Sequence, residues 1–289
     1  ARRPMKRTVP FNNSPEKGRL PCAVPFDLAQ TLDCGQAFRW REVSPGRWEG
    51  VAFGKVLALE QQGEQVWFLC TQEDLEATWQ AYFDLEADYG SKRAALSQMS
   101  PALKEAADFA PGIRILRQEP WEALCSFIIS QNNHIPRIKG IIERLCVQLG
   151  EPIPGTGWAA FPAPERLAAC TLEHLAPLRA GFRAKYLLDA ARKVVSGEVD
   201  LERVAASPVE EGRQELQKIF GVGPKVAECA LLYGFHKTQC FPLDVWMKRA
   251  MATLLPGHSP QEFGENAGLA QQYLFHYSRL HPELFGEKG

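Results

Sequence analysis

The stretch Gln214-Glu-Leu-Gln-Lys-Ile-Phe220-Gly221-Val222-Gly223-Pro224-Lys225-Val-Ala-Glu-Cys229-Ala-Leu-Leu-Tyr233 decides how the rest of the chain is read. Its first part closes an amphipathic helix and its last part opens another, so Gly-Val-Gly joins two helices into a helix-hairpin-helix. Glycine tolerates positive φ and, lacking Cβ, lets another backbone come close, and both Gly221 and Gly223 are expected to use that freedom. Pro224 suits the first helical turn, where its missing N–H costs nothing. The unpaired N–H groups there face outward and suit a phosphate. Lys225 sits at the positive end of the helix dipole, which disfavours an ammonium, and a neutral amine can attack carbon. Taken alone, the motif fits an ordinary turn with a surface lysine equally well.

The residues that follow shift the balance. Gln239-Cys-Phe-Pro-Leu-Asp244-Val-Trp246-Met is an extended, proline-containing approach to an aspartate that opens another apolar-periodic helix. Asp244 has the position and chemistry of an N-cap. The Lys225 and Asp244 pair resembles the signature of the helix-hairpin-helix (HhH-GPD) DNA glycosylases. Three more segments resemble the 8-oxoguanine branch of that family: Asp33-Cys-Gly35-Gln-Ala-Phe-Arg-Trp40, Ser130-Gln-Asn132-Asn133-His134-Ile-Pro-Arg137, and Gly268-Leu-Ala-Gln271-Gln-Tyr-Leu-Phe275. All four occur in the family's order, and together they cover most of the chain from about Pro21 onward.

The resemblance implies a bifunctional DNA glycosylase and lyase acting on 8-oxoguanine paired with cytosine in double-stranded DNA. Lys225 would attack the sugar of a flipped nucleotide and Asp244 would stabilise the charge that develops there. The lesion differs from guanine by one oxygen and one proton at N7, so a backbone carbonyl at Gly35 would accept a hydrogen bond from the lesion and repel guanine. Gln271 would read the Watson–Crick edge, with Phe275 and Cys229 sandwiching the ring. Asn132 would fill the gap in the duplex, and Arg137 and Arg183 would read cytosine beside the aromatic wedge Phe182. Gly221, Gly223 and Asn133 would lie along the DNA backbone. Eukaryotic members carry Tyr at the Phe182 position, His at Trp246 and Asn at His134, which suggests a bacterial branch and puts a phosphate contact at Trp246 in doubt. Two alternatives stay open: a glycosylase for a different oxidised or alkylated base, and a noncatalytic DNA-binding hairpin protein. Lys225 argues against alkylated-base relatives, which generally lack it.

Composition bounds the rest. At 289 residues the chain can bury a substantial core. The net charge of −1 lacks the basic excess usual for a nucleic-acid protein, so a local positive face is expected instead. None of the 8 cysteines forms a CxxC pair, which argues against a zinc ribbon or thioredoxin motif, and none follows Cys240, which excludes a C-terminal four-cysteine iron–sulfur cluster. No cofactor is expected, although such hairpins can hold a cation through their carbonyls. No membrane span or signal peptide is apparent, so the cytoplasm is the default, with association to the nucleoid through DNA. A monomer suits a protein that wraps one lesion.

From Phe38 to Leu69 short alternating runs separated by Ser-Pro-Gly and Gln-Gln-Gly-Glu read as strands and turns. Beyond Asp74 the apolar spacing turns helical, with helices expected near 121–129, 138–149, 165–169, 183–195, 210–220, 225–235, 245–255 and 261–280. The fold class is therefore α+β: an N-terminal antiparallel sheet domain, then a mostly helical array containing the hairpin. The expected division is a flexible tail over 1–20, a sheet domain over 21–112 and a helical region over 113–289.

Overall fold

The computed structural model describes residues 25–286. The expected tail at 1–20 lies outside them. A short helix α1 (Leu28–Leu32) leads into a four-stranded antiparallel meander. Its strands are β1 (Trp40–Ser44), β2 (Arg47–Ala52), β3 (Lys55–Gln62) and β4 (Gln65–Leu69), in the spatial order β1-β2-β3-β4. Val51 pairs with Val56 across a two-residue turn whose Phe53 and Gly54 both have positive φ, which matches the twist of a tight hairpin. Trp40, Phe68, Trp79, Tyr82 and Phe83 close a separate aromatic core against the sheet, with Trp40 Nε1 donating to the Tyr82 hydroxyl at 2.9 Å.

The larger core is helical. It contains α2 (Tyr89–Ser97), α3 (Pro101–Phe109), α4 (Pro120–Ile129), α5 (Ile135–Leu149), α6 (Arg183–Ser196), α7 (Val209–Leu216), α8 (Pro224–Gly234), α9 (Val245–Leu254) and α10 (Ala267–Leu280). Shorter helices at Pro164–Ala168, Leu172–Leu175 and Leu201–Ala206 fill between them. Helices α2 and α3 precede residue 112, yet Leu96, Leu103, Ala106 and Ala107 are buried in the helical core and not against the sheet. An extended strap over 112–118 sews the two parts together: Asp27 N donates to Gly112 O, Leu116 N to Gln36 Oε1, and Gln118 N to Tyr233 O.

Several expected boundaries move. The helix before the hairpin stops at Leu216 and leaves 217–223 as a longer turn. The long helix expected over 261–280 is a 3-10 segment, Pro260–Asn266, kinked at Gly264 and followed by α10. Only one hairpin glycine takes positive φ: Gly221 is at 82°, whereas Gly223 is at −95° and is the N-cap of α8. No helix among the described residues is long and apolar enough to cross a membrane.

Candidate active site and DNA face

Gly221 is required on two counts, because its φ is 82° and an added Cβ would lie 2.4 Å from the Tyr186 ring. Gly223 differs, since a Cβ there would meet nothing within 4 Å. Its value is the open approach it leaves over the start of α8, where the first amides of a helix have no intrahelical acceptor. Pro224 occupies the first turn as expected, and Lys225 follows, half-buried.

Asp244 caps α9: its backbone is extended and its Oδ1 accepts from Met247 N at 2.8 Å. One cleft is lined by Lys225, Asp244, Gly35, Cys229, Gln271 and Phe275. Six positions that span most of the chain, from the loop before the sheet to the last long helix, thus converge on a single site. Sequence reasoning missed five further lining residues: Phe127, Tyr233, Pro242, Met247 and Gln272. Phe127 and Tyr233 lie in helices that read as plain core, and their rings stack at 5.2 Å in the structure. Gln272 adjoins Gln271, and nothing local distinguishes its role.

Hydrogen bonds fix the walls. The Tyr233 hydroxyl donates to Gln272 Oε1 and, at 3.4 Å, to Gln271 Oε1. Gln272 Nε2 donates to Cys34 O at 2.6 Å, tying α10 to the residue before Gly35. On the other side of Gly35, buried Gln36 is held by Thr31 O and Arg114 O. Gly35 itself has φ 83°, and a Cβ there would stand 3.1 Å from Phe275 Cε1. The glycine therefore lets a strained turn lie against the aromatic wall. Burial pushes the Cys229 thiol up to about 11, with Lys225 pulling the other way and Asp244 reinforcing burial. Cys229 is thus an apolar, neutral wall at physiological pH. Burial likewise keeps Tyr233 protonated and able to donate.

The expected opposite-base residues gather on a separate crest. Asn132 is exposed with φ 48°, and Phe182 is 46% exposed. Arg137 is exposed, with one donor 3.4 Å from Arg179 O. Arg183 is placed differently from its neighbours. It is buried, donates to the carbonyls of Gln131, Asn132 and Ala180, and lies 4.3 Å from the centroid of Phe182. It is therefore the strut under the Asn132 turn as well as a neighbour of the Phe182 ring. Asn133 spends its side chain locally, donating to Ile129 O and accepting from His134 N. Trp246 packs on Phe285, with ring centroids 4.9 Å apart. Tyr186 bridges the crest to Phe220, a 62% exposed ring at the hairpin turn that sequence reading passed over as a helix end.

Comparison with known proteins identifies the family. The family described as 8-oxoguanine DNA glycosylase, N-terminal domain, matches residues 19–124, and the HhH-GPD superfamily of base excision DNA repair proteins matches 125–263. A Methanothermobacter thermautotrophicus protein named "Probable N-glycosylase/DNA lyase" is 30% identical over 88% of this chain and 94% of its own length. The chain belongs to the 8-oxoguanine DNA glycosylases of the HhH-GPD superfamily. A Saccharomyces cerevisiae N-glycosylase/DNA lyase is 33% identical over 77% of this chain, which spans 66% of the yeast protein. Among solved structures, Clostridium acetobutylicum 8-oxoguanine glycosylase/lyase, bound to DNA with cytosine opposite 8-oxoguanine, superposes with TM-score 0.82. It is 40% identical and covers 89% of this chain and 93% of that one. In this glycosylase no group of three or more His, Cys, Asp or Glu among the described residues could hold a metal ion.

Proposed function

We propose that this glycosylase removes 8-oxoguanine paired with cytosine from double-stranded DNA and then nicks the strand. The observation that carries this reading is the convergence of Lys225, Asp244, Gly35, Cys229, Gln271 and Phe275 on one cleft. The base must leave the duplex because its sugar carbon is shielded in the stack. The lone pair of Lys225 Nζ forms a bond to C1′ as the C1′–N9 bond breaks, and the base leaves with that electron pair and takes up a proton. Expulsion of the ring oxygen O4′ from C1′ gives a Schiff base. Loss of a C2′ proton then expels the 3′ phosphate, which is β-elimination. Asp244 faces the sugar as charge develops.

Recognition follows from the walls. The Gly35 carbonyl would accept the N7 proton peculiar to the lesion, Gln271 would read the opposite edge, and Phe275 with Cys229 would enclose the ring faces. Asn132, Phe182, Arg137 and Arg183 would hold the gap and the orphaned cytosine, while Gly221, Gly223 and Asn133 would follow the phosphates. The chain supplies the nucleophile and the charge stabiliser itself, so the chemistry needs no cofactor, and a cation at the hairpin carbonyls would serve DNA binding alone. We infer a monomer working in the cytoplasm on nucleoid DNA. Single-turnover excision on duplexes carrying 8-oxoguanine, thymine glycol, 3-methyladenine or no lesion tests the reading. Excision confined to 8-oxoguanine opposite cytosine is expected, and faster release of another base would overturn the pocket assignment.

A further inference from the structure

The nucleophile and the charge stabiliser stand on different elements: Lys225 on α8, and Asp244 at the end of an irregular segment before α9. One side chain joins the two. Glu228 lies one turn beyond Lys225 on α8 and is 12% exposed. Its Oε2 accepts from Phe241 N at 3.1 Å, three residues before Asp244. Its Oε1 accepts from Arg213 Nε at 2.8 Å and also from Arg213 Nη2. Arg213 belongs to α7, the first helix of the hairpin, and its remaining donor meets Glu210.

One carboxylate thus ties together both hairpin helices and the start of the aspartate-bearing segment. The other end of that segment is fixed by the Asp244 cap on Met247 N. Residues 241–244 have no regular secondary structure, so these two bonds, with the buried Phe241 ring stacked on Phe263, hold the segment that carries Asp244.

We propose that Glu228 is a positioning residue that holds Lys225 and Asp244 in register for base excision, with Arg213 orienting its carboxylate. The inference rests on the glycosylase and lyase reading above. Both charge and acceptor geometry enter, because a carboxylate held by a guanidinium on one oxygen presents the other in a fixed direction to the Phe241 amide. Glu228→Ala frees that amide and leaves Arg213 without its main partner.

The test measures single-turnover excision of 8-oxoguanine, Schiff-base trapping on a ready-made abasic duplex, affinity for a tetrahydrofuran-containing duplex, and thermal unfolding. These are run for wild type, Glu228→Ala and Glu228→Gln. We expect Glu228→Ala to excise about 100-fold more slowly, the size of effect an ångström of misplacement produces. Trapping on the abasic duplex should fall much less, because the sugar is already open, and affinity should be unchanged. Glu228→Gln keeps an oxygen for the Phe241 amide but turns its NH2 toward the Arg213 donors, and should recover part of the rate. A folded Glu228→Ala excising at the wild-type rate would overturn the proposal. So would loss of affinity in proportion to activity, or a Gln variant as slow as Ala. If Glu228→Ala does not fold, Glu228→Asp replaces it: withdrawn from the Phe241 amide, it should excise more slowly than Glu228→Gln, and the reverse order refutes the brace. Wild-type protein that traps on abasic DNA yet leaves 8-oxoguanine in place would refute the substrate reading instead.

Discussion

Around Lys225 the proposed base-binding residues line one cleft among buried neighbours, whereas at the proposed opposite-base crest Asn132, Arg137 and Phe182 stand in solvent. The pocket draws on residues from Gly35 to Phe275, and its walls are bonded to one another and to their surroundings: Gln272 to Cys34 O, Tyr233 to Gln271, and the segment before Asp244 to Glu228 through the Phe241 amide. The crest has Arg183 beneath one turn, with left-handed backbone at Asn132 and Arg179. The difference fits the two tasks proposed for these regions. Telling 8-oxoguanine from guanine depends on a single proton, so the acceptor and its surroundings must be set beforehand. Filling a gap in a deformable duplex needs side chains free to enter it. Substitutions in the pocket should therefore act on rate, and substitutions on the crest on affinity and choice of opposite base.

The largest effect expected among variants of the two regions is at Asp244. Asp244→Asn keeps an N-cap oxygen and should unfold near the wild-type temperature, yet excise about 100- to 1000-fold more slowly because the charge is gone. Asp244→Ala should lose that rate and about 1 kcal/mol of stability as well. Equal activity of Asn and wild type would reduce Asp244 to a cap. Gly35→Ala comes next, with a φ of 83° and Phe275 in the way of the new methyl. It should cost about 1 to 2 kcal/mol in unfolding experiments and slow excision more than it weakens DNA binding.

On the crest, Phe182→Ala should weaken binding to a tetrahydrofuran duplex by about tenfold, the worth of one lost stacking contact. It should also narrow the preference for cytosine while leaving the rate at saturation close to wild type. A rate loss as large as that at Gly35 would erase the distinction between the regions. The smallest signal concerns Cys229, whose thiol is pushed up to about 11 and is therefore neutral below that pH. Its ionisation should add no inflection to the pH–rate profile between pH 6 and 9. Iodoacetamide at pH 8 should label it far more slowly than a free thiol, and rapid labelling would show a more open pocket.

The pattern of local signals explains what the chain disclosed before its structure was known. The strands, the hairpin and the Asp244 cap are written in spacing, turn residues and cap chemistry, all of which act over a few positions. Gly221 was readable because left-handed backbone demands glycine, whereas Gly223 looked the same in sequence and serves by leaving space open. Phe127, Tyr233 and Gln272 could not be found because their partners lie far along the chain: Gln272 bonds Cys34, 238 positions away in sequence. The break at Gly264 was missed because apolar periodicity runs through it. The allegiance of α2 and α3 to the helical core was hidden because order along the chain does not report packing.

The central claim is that Lys225 attacks the sugar of an oxidised guanosine. Borohydride trapping on a duplex with one 8-oxoguanine opposite cytosine tests it most directly, using wild type and Lys225→Gln beside undamaged, thymine-glycol and 3-methyladenine duplexes. A covalent adduct is expected with wild type on the 8-oxoguanine duplex alone, and none with Lys225→Gln although that variant still binds the duplex. An adduct that persists in Lys225→Gln, or none on 8-oxoguanine with wild type, would contradict the claim.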